Sequence, residues 1–335
     1  MKLVLFIFLF YFAFLSSAYK KVEQKNYKRS DFSRIMFYNV ENLFDTIDDK
    51  TINDNDFLPT SKKYWNSKKY YIKINNIYRV IAGIGEEKAP EIIGLCEIEN
   101  SKVIDDLLNK TPLIKAGYKY IHYDSKDKRG IDVVFIYQKN YFTPLYSKNI
   151  EIIFPFNLFV KTRDILYVKG LNSSKDTLHC FINHWPSRVG GKEKSEEKRE
   201  YVADKLKMIV DSITKTDKNA NIIIMGDFND TPTDNSILNL LSNNILVNLM
   251  NNINKEGIGT CKYQNNWFLF DQIIVSNYLN KKIIDTKIAG FDKLNFLLEE
   301  DKKSMGLKPM RTYIGLKYNF GFSDHLPVYC DIKNN

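Results

Sequence analysis

Short apolar runs that end in a polar or charged residue recur along this chain. The sharpest is Ile222 to Met225, bounded by Gly226 and followed by a Thr231-Pro232 break. A run of that length with turn formers at its end predicts a buried strand that stops abruptly. The same pattern predicts strands over 33–40, 91–98, 164–168, 177–182, 267–276 and 328–332, with a further one over 150–160. Segments 118–123 and 130–137 read as a hairpin, with Asp124 to Arg129 as its polar connection. Helical spacing governs the intervening stretches. Ile74, Ile77, Val80, Ile81 and Ile84 predict a helix within 64–85, its Lys and Tyr residues forming a solvated face. Tyr201, Leu206, Ile209 and Val210 predict an amphipathic helix over 192–213, and shorter helices are expected over 102–113 and 235–249. Segment 48–66 reads as an exposed loop, and 293–320 as a long, poorly periodic loop of the kind found at a site rim. Strands alternating with a few helices imply one α/β domain: two mainly antiparallel sheets packed together, helices outside.

What stands at the strand ends changes the picture. Asn39 closes the first predicted strand, Glu97 the second, His184 follows 177–182, and Asp227, Asn229 and Asp230 follow Met225. Any one of these is explained by turn formation, for which Asn and Asp are ordinary residues. Glu97 and Asp271 are not, because each is embedded in an apolar run where a carboxylate is costly unless paired or bound to a metal. Repetition of the pattern favours a site presented at strand tips by a rigid scaffold. Ser323-Asp324-His325, just before the last strand, adds a second histidine.

Composition adds less. The 335 residues carry a formal charge of +9, so a polyanionic partner is electrostatically reasonable. The lysines are nevertheless spread along the chain without a basic block, which a compositional bias explains equally well. Lys2, an apolar run from Leu3 to Leu15 and then Ser16-Ser17-Ala18 predict a signal peptide over 1–18, leaving 19–335 as a single exported domain, secreted or periplasmic. An uncleaved anchor is the alternative, although the run is shorter than the about 20 residues a span needs. Cys96, Cys180 and Cys330 lie in apolar runs and read as buried thiols; no pair has zinc-site spacing.

Taken in order, Tyr38-Asn39-Val40-Glu41-Asn42, Glu97, His184, Gly226-Asp227-Phe228-Asn229, Asp271 and Ser323-Asp324-His325 resemble the motifs of the endonuclease/exonuclease/phosphatase superfamily. That superfamily includes pancreatic-type deoxyribonucleases, abasic-site endonucleases, inositol-phosphate phosphatases and bacterial sphingomyelinases. The resemblance implies a four-layered α/β sandwich and a metal-dependent phosphodiesterase. It implies Glu97 as the main ligand of a magnesium ion, with Asn39 and Asp324 nearby; manganese or calcium stays open. By the same comparison Asp227 would orient or deprotonate the attacking water and Asn229 would donate its amide to the phosphate. His325 would act as acid or base, held in one tautomer by Asp271, and His184 would be a second catalytic histidine. Asp132 is expected to orient His184, and Arg129 and Arg188 are candidate phosphate contacts, with a solvated-loop role open for both.

Fold and phosphate chemistry are shared across such a superfamily and do not name the leaving group. Charge, export and two histidines favour a monomeric endonuclease for DNA, with RNA open and no stable membrane association. The alternative is a phosphatase or sphingomyelinase-type phospholipase, for which 154–159 would be the docking segment. A binding module without catalysis fits poorly, since it needs no buried acid beside a histidine.

Overall fold

The computed structural model describes residues 27–253 and 257–334, so the predicted signal peptide lies outside the described residues. Two six-stranded mixed sheets form the centre. The first contains β1 (Phe32–Leu43), β2 (Ile92–Ile98), β3 (Tyr118–His122), β4 (Asp132–Gln138), β13 (Ile283–Ile288) and β18 (Val328–Lys333), in the order β13-β18-β1-β2-β4-β3. The second contains β5 (Phe142–Ile150), β6 (Ile165–Asn172), β7 (Thr177–His184), β8 (Asn221–Asp227), β9 (Leu246–Asn248) and β12 (Asp271–Ser276), in the order β5-β6-β7-β8-β12-β9.

Each sheet is antiparallel except at one central pair, where β1 runs parallel to β2 and β7 to β8. Parallel neighbours need a crossover. Here the crossovers are helix α1 (Ser67–Gly85) for the first pair and α3 (Lys192–Thr216) for the second.

Four layers follow from how side chains divide along the strands. On β8, Ile223 and Met225 join the core between the sheets, while Ile222 and Ile224 pack outward with Val202, Leu206 and Val210 of α3. Burial on both faces is why this strand reads as an unbroken apolar run rather than an alternation. On the other side, α1 and α2 (Ser101–Asn109) cover the first sheet through Ile74, Ile77, Val80, Ile81, Ile84, Val103 and Leu107. Cys96, Cys180 and Cys330 are buried free thiols. Among the described residues no helix is long and apolar enough to cross a membrane.

Several expectations need correction. Asn39 lies within β1, which continues to Leu43, and not at its end. The strand expected over 150–160 falls instead at Phe142–Ile150. That strand is mostly exposed, holds Pro144 and shows a register shift beside it, as edge strands tolerate. After it the chain is irregular, although Ile152 and Phe154 still bury into the outer core. Burial without a ladder gave the apolar signal there. The helix expected over 235–249 stops as α4 at Leu241. Asn244, at φ 55°, then turns the chain back into β9. The helix expected to reach Leu113 ends at Asn109, and β13 carried too weak a pattern to be predicted. Segment 293–320 is not one loop: it contains the short hairpins Leu298–Glu300 with Leu307–Pro309 and Tyr313–Ile314 with Lys317–Tyr318. The predicted solvated face of α1 also fails at Lys73, which is buried along with Tyr70.

Gly226 precedes Asp227 where β8 passes closest to β7. A Cβ there would meet the Cβ and carbonyl oxygen of Asn183 at 2.6 Å. Gly226→Ala must therefore push two buried central strands apart, and overpacking of this kind costs about 1–3 kcal/mol. A urea unfolding midpoint that drops with an unchanged slope is the expected result.

Candidate active site

The parallel strands β1, β2, β7 and β8 bring their C-terminal ends to one mouth of the sandwich, where the start of β12 and the loop before β18 also arrive. His184 and Asp227 are register partners across β7 and β8, and Asp271 pairs with Asp227 across β12 and β8. Asn39 is the register partner of Cys96, next to Glu97. The pairing of the strands therefore assembles most of the cluster.

Asp227 is at its centre and is buried. Its Oδ1 accepts from the Asn229 amide at 2.9 Å, and its Oδ2 from Asn39 Nδ2 at 3.0 Å. The same Oδ2 faces both imidazoles, 3.6 Å from His184 Nε2 and 3.8 Å from His325 Nε2. His325 Nδ1 is 2.7 Å from Asp271 Oδ2, and its backbone amide is fixed by Ser323 Oγ. Ser323 in turn donates to the carbonyl of Asn39, which ties the loop before β18 to β1.

Glu97 stands across from these groups. Its Oε2 accepts from the Asn42 amide at 2.8 Å, and its Oε1 is 3.5 Å from Arg129 Nη2, which also donates to Asn42 Oδ1 at 2.7 Å. Asp324 pairs with Arg311 at 3.0 Å. Backbone strain collects at this mouth: Glu41, Asn42, Glu97 and Asn229 all have φ between 51° and 63°. Left-handed non-glycine residues cost on the order of 1–3 kcal/mol each and persist where the surroundings over-determine them.

The charges are arranged unequally. Burial pushes the Asp227 carboxyl above its ordinary range, and the Asp271 charge adds to this against the opposing pull of His325. Burial alone would lower His325, but the carboxylates of Asp271 and Asp227, with Cys261, hold it well above its ordinary value. His184 goes the other way: burial first, then Arg163, Arg129 and His325, press it well below. The two imidazoles beside Asp227 are thus pushed in opposite directions, His325 toward its charged form and His184 toward its neutral form. Separated acid and base assignments of this kind are what proton-transfer sites need.

The structure does not bring every expected residue to the cleft. Asp132 is taken by other partners, accepting from the Ser125 amide at 2.8 Å with its second oxygen 3.6 Å from His122. His184 Nδ1 is buried with no hydrogen-bond partner, so Asp132 does not orient it. The residue holding this strand end is Arg163, which donates to the carbonyls of His184 at 3.2 Å and Trp185 at 2.6 Å and pairs with Asp127. Arg188 is spent on Asp230, Asp234 and the carbonyl of Asn229, so it braces the loop after β8. Asn229 points its Nδ2 at the Trp185 carbonyl.

Sequence reading also passed over Glu41, Lys73 and Arg163. Glu41 binds Arg311 and the Thr312 amide, and Lys73 behind it donates to Thr312 and to the Phe322 carbonyl, its pKa lowered by burial to about 8. The signal for Lys73 was present, since it stands four residues before Ile77 on the apolar stripe. Arg163 follows an irregular segment and carried none.

A divalent ion suits the donors available. Glu97, Asn39 and Asp324 offer hard oxygens, and a second oxygen-rich group, Asp227 and Asp271 with His325, has ligand atoms within 4.8 Å of one another. Asp271 Oδ1 is a buried oxygen without a partner.

Residues 34–334 match the model of the Endonuclease/Exonuclease/phosphatase family. No curated protein sequence matches the chain. Among solved structures, the catalytic domain of human Nocturnin with bound sulfate is 17% identical, with 90% of this chain and 94% of that one covered and a TM-score of 0.54. Mannosyl-6-phosphatase from Bacteroides thetaiotaomicron is 16% identical, covering 89% and 98% at a TM-score of 0.56. TDP2 from D. rerio, complexed with a single-strand DNA product, is 15% identical, covering 90% and 99% at 0.54. At these identities the likeness is one of fold.

Proposed function

Because this chain belongs to the endonuclease/exonuclease/phosphatase family, whose members hydrolyse phosphate esters, we propose that it is an exported, metal-dependent endonuclease acting on DNA. The observation that carries the reading is the carboxyl of Asp227 set between the Nε2 atoms of His184 and His325, at 3.6 and 3.8 Å. Hydrolysis of a phosphodiester requires a base for water, an acid for the leaving oxygen and positive charge for the phosphate. Asp227 is placed to orient and deprotonate the water, its Oδ1 fixed by the Asn229 amide. His325 carries the proton for the leaving oxygen, and Asp271 keeps Nδ1 turned inward so that Nε2 faces the cleft. His184 Nε2 faces the same carboxylate oxygen from 3.6 Å, placed to share a water with it. A divalent cation held by Glu97, Asn39 and Asp324 would supply charge neutralisation at the phosphate.

A polymeric anion is supported by what lines the cleft beside the site. A cavity of about 290 Å³ is bordered by Glu41, Asn42, Phe57, Lys63 and Arg311, and one of about 370 Å³ by Asn42, Phe57, Lys63 and Arg129. Lys63, Arg129 and Arg311 beside the partly buried ring of Phe57 suit a phosphate backbone and its bases. TDP2, one of the structural neighbours, is complexed with single-strand DNA product, while another neighbour is a mannosyl-6-phosphatase, which makes a small phosphomonoester the control substrate.

Supercoiled plasmid with Mg²⁺ is the first assay. Nicking that chelator abolishes and Glu97→Gln lowers by about 10²-fold or more is expected. An intact plasmid together with hydrolysis of a sugar phosphate, RNA or sphingomyelin would keep the site and remove the DNA assignment.

A further inference from the structure

A second cluster of potential ligands lies outside the cleft, at the open end of the β3–β4 hairpin. His122 ends β3 and is the register partner of Val134, so Asp132, two residues earlier on β4, falls on the same face. Asp124, two residues beyond His122, completes the group, and one ligand atom from each residue lies within 4.8 Å of the others.

An independent observation points to a ligand between them. The His122 side chain is only 5% exposed, and its Nε2 is buried without a hydrogen-bond partner. The nearest acceptor, Asp132 Oδ2, stands 3.6 Å away, too far for a hydrogen bond, although the other oxygen of Asp132 is held in place by the Ser125 amide. A separation of 3.6 Å is, however, what two ligands of one ion show. At metal–ligand lengths of about 2.1 Å it subtends about 120°, close to tetrahedral. The exposed carboxylate of Asp124 stands on the solvent side, its ligand oxygen inside the same 4.8 Å group.

We propose that His122, Asp132 and Asp124 form a binding site for a divalent transition-metal ion of the zinc class, with water completing its coordination. An imidazole with two carboxylates selects borderline ions such as Zn²⁺ or Co²⁺ over Ca²⁺ and Mg²⁺, which prefer all-oxygen sites. The site shares no ligand with the set formed by Asn39, Glu97 and Asp324. Its consequence is mechanical. The hairpin loop it closes carries Arg129 to Asn42 and Glu97, and Asp127 to the Arg163 that holds the His184 strand end. An ion at the loop's base fixes both arms.

The test uses the purified protein stripped with chelator and titrated with Co²⁺ in excess Mg²⁺, so that the cleft is held by the harder ion. One equivalent of Co²⁺ with visible d–d absorption, displaced by Zn²⁺ but not by Ca²⁺, is expected. His122→Gln should abolish it. Asp124→Asn, at a position too exposed to affect folding, should weaken it by at least the about 10–100-fold that even an outer-shell partner is worth. Zn²⁺ should also raise the Tm of the wild type and not that of His122→Gln. Equal Co²⁺ uptake by the wild type and both variants, or full displacement by Mg²⁺, overturns the proposal.

Discussion

Asp227→Asn is expected to lower kcat by about 10³-fold while leaving the protein at least as stable as the wild type at neutral pH. Positioned acid–base groups contribute about 10²–10⁴-fold, and Asp227 is placed between His184 and His325. The stability half of the expectation comes from proton linkage. Burial raises the folded-state pKa of Asp227 above its ordinary value, so between those two values the folded protein binds more protons than the unfolded chain. Stability therefore falls as pH climbs through that window, and above it the wild type carries the full penalty of a buried charge. Asparagine keeps the shape and can still accept from the Asn229 amide; the bond from Asn39 Nδ2 is lost, at about 1 kcal/mol, against removal of the buried charge. Activity measured with saturating Mg²⁺ beside a thermal melt of the same preparation separates the two effects. Near-wild-type turnover would remove Asp227 as the base. A large fall in Tm would show that the carboxylate is structural.

Breaking the His325–Asp271 pair should be at least as costly to activity and far more costly to the fold. Asp271 is fully buried and 2.7 Å from the ring it faces. Removing one partner of such a pair costs on the order of 3–5 kcal/mol, and loss of the carboxylate that sets a catalytic imidazole's tautomer lowers kcat by about 10⁴-fold in a well-studied hydrolase triad. His325 is held well above its ordinary value chiefly by Asp271 against the lowering effect of burial. The stability this supplies is fully present below about pH 6.5 and is lost as pH rises through the raised folded value. In Asp271→Asn, burial is left to act with only Cys261 and Asp227 opposing it. The basic limb of the kcat profile should then move to lower pH, and the stability gap between wild type and variant should be widest in acid and narrow as pH rises. A limb that stays where it was would assign that ionisation to another group.

These expectations rest on a division between local and distant information. The chain itself determined its class of fold, because strands buried on both faces, such as Ile222 to Met225, have no other way to satisfy an apolar run beside turn residues. It also determined that Glu97 and Asp271 need partners, since a carboxylate inside such a run has a price wherever the strand goes. It could not locate edge strands. Phe142–Ile150 buries only Phe142 and so lacks periodicity, whereas Ile152 and Phe154 mimic a strand by burying without pairing. Nor could it choose partners for polar groups, because a partner is defined by register between strands far apart in sequence. Asp132 meets His122 across one hairpin instead of His184 in the other sheet, and Arg188 turns back on Asp230 and Asp234. Lys73 was assigned to water although its spacing put it on the apolar stripe, since only the packed loop carrying Thr312 and Phe322 offers it acceptors. Residue chemistry is local and survives in the sequence. Which oxygen faces which nitrogen is fixed by strand pairing and sheet packing, and the opposite directions in which His184 and His325 are shifted, two similar side chains at the same mouth, arise only there.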